Sequence, residues 1–213
     1  MAGTACQTVF MLEWTQIKVV DGVDLRLVAS AAGIRAIQFG PRAVPVGSKK
    51  QAAFQAAGPA ESESAGKIAC PTSDAFPWGF TGRRPSPTDQ RNDRNPLLTE
   101  AARQLRAYFA GQLREFQLPL DTQGTDFQKR VWERVAAIPY GETRSYLQIS
   151  TAVGSPRAVR AVGAANGANP VPIVVPCHRV IGAKGSLVGY GGGLAMKKLL
   201  LELEGARALP LAL

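Results

Sequence analysis

The only histidine of the 213-residue chain follows directly after a cysteine, in the segment VVPCHRVIG at residues 174–182. A thiol becomes a nucleophile when a nearby cation, a helix N-terminus or a hydrogen-bonded base lowers its pKa. His178 could act as that base for Cys177. We expect a water bridge between them, because neighbouring side chains of an extended segment point to opposite sides. An inert buried thiol is the alternative, since that is the commoner fate of a cysteine.

An imidazole that works as a base needs a carboxylate to orient it. Glu204 is the candidate, near the end of the predicted helix LAMKKLLLELEG at residues 194–205. The helix dipole disfavours an anion in the last turn. A solvent-facing glutamate that tolerates this small cost is therefore the alternative.

The three cysteines, Cys6, Cys70 and Cys177, are odd in number and have no pairing spacing. The sequence also shows no signal peptide and no apolar run long enough to cross a membrane. We therefore expect a cytoplasmic protein with free thiols and no membrane partner. One histidine and three distant cysteines argue against a structural zinc site, which needs four Cys or His ligands, so no metal is expected. No cofactor is expected either.

The chain is basic, with a formal net charge of +9 and a sequence pI near 9.9. Residues 96–213 hold 14 Lys and Arg against 8 Asp and Glu, a net charge of +6, while residues 1–95 hold 11 against 8, a net charge of +3. The net positive charge is greater in the half that contains Cys177. Such a balance suggests a nucleic-acid partner, but a basic soluble protein without one is equally compatible with it.

The first forty residues predict a small antiparallel sheet. Three segments are rich in branched and aromatic residues, WTQIKVV, VDLRLVAS and IRAIQFG. Asp21-Gly22 between the first two is a strong hairpin signal. Residues 41–95 are rich in Pro, Ser, Gly and Arg, and we predict a linker or long loop there with a short docked piece at FPWGF. Residues 1–95 are therefore the expected N-terminal β-rich domain.

Residues 96–213 predict a mainly helical domain, so the fold class is α+β. A first helix covers LLTEAARQLRAYFAG, and a second opens at Thr125 with Gln128 in capping-box spacing. The segment at residues 145–167 then reads as two short helices broken at Gly154. The first opens at Ser145 with Gln148 in capping-box spacing, and the second has Ser155 as its cap and Pro156 at the first helical position. This is a helix-turn-helix pattern, although many helical hairpins share it and bind no DNA.

The segment NPVPIVVPC at residues 169–177 cannot be helical through three prolines. We predict an extended stretch that delivers Cys177 to a bend. A glycine-rich loop, GAKGSLVGYGGG, follows at residues 182–193, and the final helix ends at Gly205.

The cysteine segment and its surroundings resemble the O(6)-alkylguanine-DNA alkyltransferases, also called methylated-DNA–protein-cysteine methyltransferases. The resemblance covers roughly residues 120–205. It rests on the Pro-Cys-His-Arg core together with TDFQKRVWERVAAIPYGETRSY, RAVGAANGANP and LLELEG in the same order. Residues 96–213 would then be a DNA-binding and alkyl-acceptor domain, and the expected reaction is single-turnover, irreversible transfer of an alkyl group from DNA to the protein.

The resemblance implies a role for each matching residue at the reacting centre. Cys177 accepts the alkyl group, His178 takes the thiol proton through a water, and Glu204 orients His178. Asn169 braces the site around its turn. Tyr146 contacts the phosphate of the target nucleotide and protonates the departing guanine.

The resemblance also implies a DNA surface and a base pocket. Arg160 fills the space left by a rotated nucleotide. Tyr190 packs against the flipped base, and the backbone of Val175, Cys177 and the Gly191 region forms hydrogen bonds with that base. The family often has serine or alanine where this chain has Gly191, which removes a side-chain contact and loosens the pocket. The predicted DNA-binding residues are Arg160, Tyr146, Arg157, Ser145 and Asn166, and the predicted pocket residues are Tyr190, Val175, Gly191 and Gly192.

The expected partner is double-stranded DNA that carries alkylated bases, and the expected state is a monomer. Two other functions fit parts of the pattern. A DNA-binding regulator would use the same helix-turn-helix without alkyl transfer. A Cys-His thiol hydrolase would need a step that activates water and allows turnover.

Overall fold

The computed structural model describes residues 11–40 and 89–206. Cys6, Cys70, the FPWGF segment and most of the predicted loop at residues 41–95 lie outside the described residues. Within these two ranges the architecture is α+β, with an N-terminal sheet and a mainly helical C-terminal part, as the sequence predicted.

The N-terminal sheet contains three antiparallel strands, β1 (Glu13–Val20), β2 (Val23–Ser30) and β3 (Gly33–Phe39). Gly22 has a φ of 79° in the β1–β2 turn, as the Asp-Gly signal predicted. A two-residue strand, β4 (Gln90–Arg91), pairs in parallel with β1, so the order is β3-β2-β1-β4. The sequence did not predict β4, since two residues carry no periodicity.

Helix α1 (Pro96–Phe109) packs against strands β1 to β3. Asn95 caps it by accepting a hydrogen bond from the Leu98 backbone N–H, and Pro96 occupies its first turn. Its apolar face is buried on the sheet through Leu98, Leu105 and Tyr108. The predicted domain boundary between residues 95 and 96 stays a prediction.

The C-terminal part contains helix α2 (Asp126–Ala136), helix α3 (Tyr146–Ala152), helix α4 (Val159–Gly167) and helix α5 (Gly193–Leu203). Two short parallel strands, β5 (Arg144–Ser145) and β6 (Val180–Ile181), pair across it. Both predicted capping boxes form, at Thr125 with Gln128 and at Ser145 with Gln148. Because α3 packs against α4, they form the predicted helix-turn-helix pair.

The predicted start of α4 was wrong. The helix begins at Val159, with Ala158 as a cap that makes no side-chain bond. Ser155 and Pro156 lie instead in a turn, which the Ala158 N–H closes onto the Ser155 carbonyl at 2.8 Å. The Ser150 hydroxyl lies 3.3 Å from the Pro156 carbonyl and holds this turn against α3.

The segment before Cys177 is a tight turn and not the extended stretch that the prolines suggested. The Asn169 side chain closes it, since its amide donates to the Val175 carbonyl at 2.7 Å and its oxygen accepts from the Val171 N–H at 3.0 Å. Ile173 has a φ of 77°, which is strained for a β-branched residue. A side chain that bonds both ends of the turn stabilises this backbone.

One hydrophobic core joins the sheet to the C-terminal helices, and its members include Leu25, Ile37, Leu105, Val131, Val162 and Leu200. The edge strand β3 also touches the turn before the cysteine, because the Ile37 N–H donates to the Pro170 carbonyl at 2.9 Å. None of the helices in residues 11–40 and 89–206 is long and apolar enough to cross a membrane.

Candidate active site

Cys177 opens a single turn of 3-10 helix (Cys177–Arg179) between Pro176 and strand β6. The residue is only 5% exposed. Burial raises the pKa of the thiol to about 11, although the Asn169 amide and the Lys197 charge act in the opposite direction. The thiol is therefore protonated at neutral pH and needs a base before it can attack.

His178 is fully buried, and its Nε2 lies 2.9 Å from Oε1 of Glu204. An ionised carboxylate only accepts hydrogen bonds, so Nε2 carries the proton and Nδ1 is the basic nitrogen. Nδ1 has no hydrogen-bond partner among the described residues. Burial lowers the pKa of the imidazole, and the charges of Arg179 and Lys197 lower it further against the pull of Glu204. His178 is thus a neutral base beside a protonated thiol.

Glu204 is the C-cap of α5 and is 6% exposed, so the solvent-facing alternative is wrong. Burial alone would raise the pKa of its carboxyl, but hydrogen bonds from His178, Arg179 and Tyr108 lower it to about 2. The Gly141 N–H adds a fourth donor at 3.3 Å. These donors outweigh the unfavourable end of the helix dipole and keep Glu204 ionised.

Tyr146 is the first residue of α3, directly after the Ser145 cap. Burial and then the neighbouring Cys177 raise the pKa of its phenol, while Asn166 opposes the increase. The ring lies 6.0 Å from the Lys197 ammonium. Tyr146 therefore lies at the start of the helix-turn-helix pair, with the Cys177 thiol as a neighbour of its phenol.

A cleft of about 470 Å³ opens beside these residues. Four predicted residues line it together, Tyr146 and Arg160 from the helix pair and Tyr190 and Gly191 from the glycine-rich loop. The Tyr190 hydroxyl is buried and has no partner within the described ranges. Gly192, also a predicted pocket residue, does not line the cleft, and a Cβ atom there would come within 3.0 Å of the Phe39 ring.

Two further predicted residues lie away from the cleft. Val175 lines two hollows on another side, next to Ala136, and its carbonyl already accepts hydrogen bonds from Asn169 and the Cys177 N–H. It has no free acceptor to offer a base in the cleft. Asn166 is buried at 4% exposure, and its amide donates to the Cys177 carbonyl at 3.3 Å. Such a side chain supports the cysteine turn and presents no surface to DNA.

The remaining predicted DNA contacts lie on the helix pair. Arg157 and Arg160 are exposed, as a phosphate contact and an inserted side chain require. Ser145 is half-buried, and its hydroxyl oxygen accepts the Gln148 N–H at 3.1 Å. Its hydroxyl proton is still available for a phosphate oxygen.

The sequence did not predict three residues of the site, which are Arg179, Tyr108 and Lys197. Arg179 and Tyr108 bond Glu204. Lys197 is fully buried, and its ammonium donates to the carbonyls of Val180 at 2.6 Å and Val188 at 2.9 Å. Burial lowers its pKa to about 8, and Cys177 opposes that change. A lysine on the apolar face of the final helix was the signal that could have revealed Lys197.

Two models of a known protein family match this chain. Residues 126–206 match the family model of the 6-O-methylguanine DNA methyltransferase DNA-binding domain, and residues 79–122 match that of the ribonuclease-like domain. The methylated-DNA–protein-cysteine methyltransferase of Methanosarcina acetivorans is 58% identical over 110 residues, which cover 52% of this chain and 70% of the relative. The chain belongs to the 6-O-methylguanine DNA methyltransferase family.

Other members of the family agree. The Mycobacterium tuberculosis H37Rv methylated-DNA–protein-cysteine methyltransferase is 63% identical over 108 residues. This match spans 51% of the chain and 66% of the relative, so it covers just under two thirds of that protein. The crystal structure of Mycobacterium tuberculosis O6-methylguanine methyltransferase superposes with a TM-score of 0.64 at 37% identity, covering 93% of this chain and 95% of the other. A further structure shows the Mycobacterium tuberculosis protein, OGT, in complex with DNA.

Proposed function

We propose that Cys177 is the alkyl acceptor of this DNA-repair methyltransferase. The observation that carries the proposal is that three buried groups are joined by the chain and by one hydrogen bond: Cys177 adjoins His178 in sequence, and His178 bonds the Glu204 carboxylate at 2.9 Å. Groups of these types can move one proton away from sulfur when the imidazole acts as the base and the carboxylate orients it.

The reaction replaces one bond by another. Nδ1 of His178 takes the thiol proton through a water, and the sulfur attacks the carbon attached to O6 of guanine. An S–C bond forms while the C–O6 bond breaks, and its electron pair leaves with the guanine. Tyr146 donates a proton to the departing base. The product is a thioether on Cys177. None of the described residues offers a group that would remove the alkyl group from the sulfur, so each molecule acts once.

Access to the damaged base requires rotation of its nucleotide out of the duplex. The cleft between Tyr146, Arg160 and Tyr190 offers the space for the rotated base. Arg160 lies at its edge on α4, where the side chain can enter the gap in the duplex. Double-stranded DNA is the partner in this proposal, and the protein acts as a cytoplasmic monomer.

The intact mass of the protein tests the proposal. After incubation with a duplex that contains O(6)-methylguanine, the protein should gain the mass of one methyl group in place of one hydrogen, and peptide mapping should find it on Cys177. Cys177→Ser should gain nothing while it still binds the duplex. A protein that binds without any mass gain would be a DNA-binding regulator, and one that releases product and turns over would be a hydrolase.

The role of Glu204 has its own test. Glu204→Gln keeps the shape of the side chain but loses the charge that orients His178. Transfer should slow while DNA binding stays nearly unchanged. The loss of transfer rate should be smaller than the roughly ten-thousandfold effect of removing the carboxylate from a directly coupled triad. The reason is that in the proposed proton relay of Cys177, His178 and Glu204 the thiol proton reaches His178 through a water.

A further inference from the structure

The Tyr108 hydroxyl comes from helix α1 and bonds the carboxylate of the site. We propose that Tyr108 is a positioning residue for the proposed relay, which holds Glu204 in place and limits how strongly that carboxylate draws a proton onto His178. The inference rests on the proposed function. It also means that residue 108, far from the cysteine segment in sequence, adjusts the reactivity of the thiol.

The contact is short and fully enclosed. The Tyr108 hydroxyl donates to Oε1 of Glu204 at 2.6 Å, and the tyrosine has no exposed surface. Its ring packs against the rings of Phe109, Phe116 and Tyr140 at centroid distances of 5.3 to 6.2 Å. Because these rings hold the phenol on several sides, the hydroxyl has one position to occupy, which is the geometry of a fixed donor.

Three donors share the same carboxylate oxygen. Oε1 of Glu204 accepts from Tyr108, from His178 at 2.9 Å and from Nη2 of Arg179 at 2.9 Å. Each donor draws negative charge toward itself, so the Tyr108 bond weakens the pull of this oxygen on the imidazole proton. Removal of the phenol should therefore make His178 more basic.

The carboxylate does not need Tyr108 to compensate its charge. Arg179 alone supplies two charge-assisted hydrogen bonds, and the Gly141 N–H contributes a further donor to Oε2. The tyrosine adds a neutral donor to a pair that is already compensated. Its effect should therefore appear in the proton affinity of the relay more than in the burial of the charge.

The groups that face the relay come from every element packed around it. The Tyr108 phenol comes from α1, the Tyr140 phenol from the segment after α2, the Tyr190 phenol from the glycine-rich loop and the Lys197 ammonium from α5. From the 3-10 turn come the thiol, the imidazole and the guanidinium of Cys177, His178 and Arg179. Only Tyr108 among the three phenols donates a hydrogen bond to Glu204 in the described ranges. Its removal is therefore the cleanest single change.

The chain contains one histidine, so ring NMR signals of tag-free protein report on His178 alone. Tyr108→Phe keeps the packed ring and removes the donor. The pKa of His178 should rise by roughly one unit, the size expected for one hydrogen bond to a charged group. The acid limb of the pH profile of alkyl transfer should move upward by the same amount, since the base must be neutral.

Tyr140→Phe is the matched control. The Tyr140 hydroxyl donates to the Leu203 carbonyl at 3.1 Å, one residue from Glu204, and makes no hydrogen bond to the carboxylate. This variant should leave the His178 titration unchanged. Site-specific 3,5-difluorotyrosine at position 108 keeps the hydroxyl and strengthens it as a donor, so the pKa of His178 should fall.

The titration is independent of alkyl transfer, so it separates this inference from the proposed function. An unchanged His178 titration in both Tyr108 variants, or equal shifts in Tyr108→Phe and Tyr140→Phe, would overturn the role of Tyr108 even if the wild type repairs DNA. Absence of transfer in the wild type would overturn the proposed function, whatever the titration shows. If Tyr108→Phe is too unstable to study, the direction of the His178 pKa change in the fluorinated protein alone decides whether Tyr108 has this role.

Discussion

The Arg179 guanidinium holds the Glu204 carboxylate with two hydrogen bonds, from Nε to Oε2 and from Nη2 to Oε1, both at 2.9 Å. The carboxylate side chain has no exposed surface, and the guanidinium side chain is 7% exposed. A buried pair of this kind adds little net stability when it is intact, but the loss of one partner leaves an uncompensated charge. The pair therefore fixes the anion that orients His178.

Arg179→Ala should destabilise the protein by about 3–5 kcal/mol, because Glu204 would be left buried and partly uncompensated. Denaturant unfolding measures this loss. The control is Arg144→Ala, which breaks an exposed pair with Glu142 and should cost no more than about 1 kcal/mol. A loss for Arg179→Ala as small as that of the control would mean that Glu204 finds other compensation.

The free energy of unfolding should decrease in acid, because Glu204 and His178 take up protons more readily in the unfolded chain than in the fold. The pKa of Glu204 is lowered from its usual 4.5 to about 2 in the folded protein. Its contribution is therefore fully present above about pH 4.5 and is lost as the pH falls toward 2. His178 acts in the same direction at higher pH, since its lowered pKa keeps it neutral in the fold while the unfolded chain takes up a proton below its usual 6.5.

Unfolding free energy measured against pH should thus decline below about pH 6.5 and again below 4.5. Glu204→Gln should lower stability at neutral pH and flatten the decline between pH 4.5 and 2. Equal slopes for the wild type and the variant in that window would show that other carboxylates cause the acid loss.

Most local features of the fold followed from the sequence, although the predicted helix cap at Ser155 did not form. The capping boxes at Thr125 and Ser145 depend on residues three apart, and the Asp21-Gly22 turn depends on two neighbours. The prediction of a thiol and a base at Cys177 and His178 was equally local, since the two residues are adjacent in the chain. Features set within one turn of backbone are the ones that a single sequence predicts well.

Features set by distant packing were missed or misplaced. Tyr108 and Glu204 are 96 residues apart, and only the packing of α1 brings them together. The side of the turn on which Val175 lies depends on how the Asn169 side chain folds the segment back on itself. No spacing rule contains these contacts.

Lys197→Met should loosen the glycine-rich loop. The change keeps an unbranched apolar stem but leaves the Val180 and Val188 carbonyls without their donor. We expect a loss of about 1–3 kcal/mol in stability for each carbonyl left without a partner, with faster amide exchange in residues 182–192 and weaker binding of a free O(6)-alkylguanine base. Lys198→Met is the control, since Lys198 makes only a 3.6 Å pair with the exposed Glu202. Equal effects of both variants would contradict a specific role for Lys197.

Arg160 and Arg157 should differ in their kinetic effects. Arg160→Ala should slow transfer from duplex DNA, which requires an extruded nucleotide, and should matter much less for a free alkylguanine base. Arg157→Ala should weaken binding to any duplex and lower the slope of binding against salt by about one unit. Transfer rates on both substrates and binding at several salt concentrations measure these effects. Equal losses of Arg160→Ala on both substrates would assign Arg160 to the fold or the pocket.

The most direct test of the account is the number of alkyl groups removed per protein molecule. The wild type is mixed with a large excess of duplex that carries O(6)-methylguanine, and repaired guanine is counted over time. Because Cys177 ends as a thioether, removal should stop at one group per molecule, with the same amount found on Cys177. Continued repair beyond one equivalent, or repair by Cys177→Ser, would contradict the account.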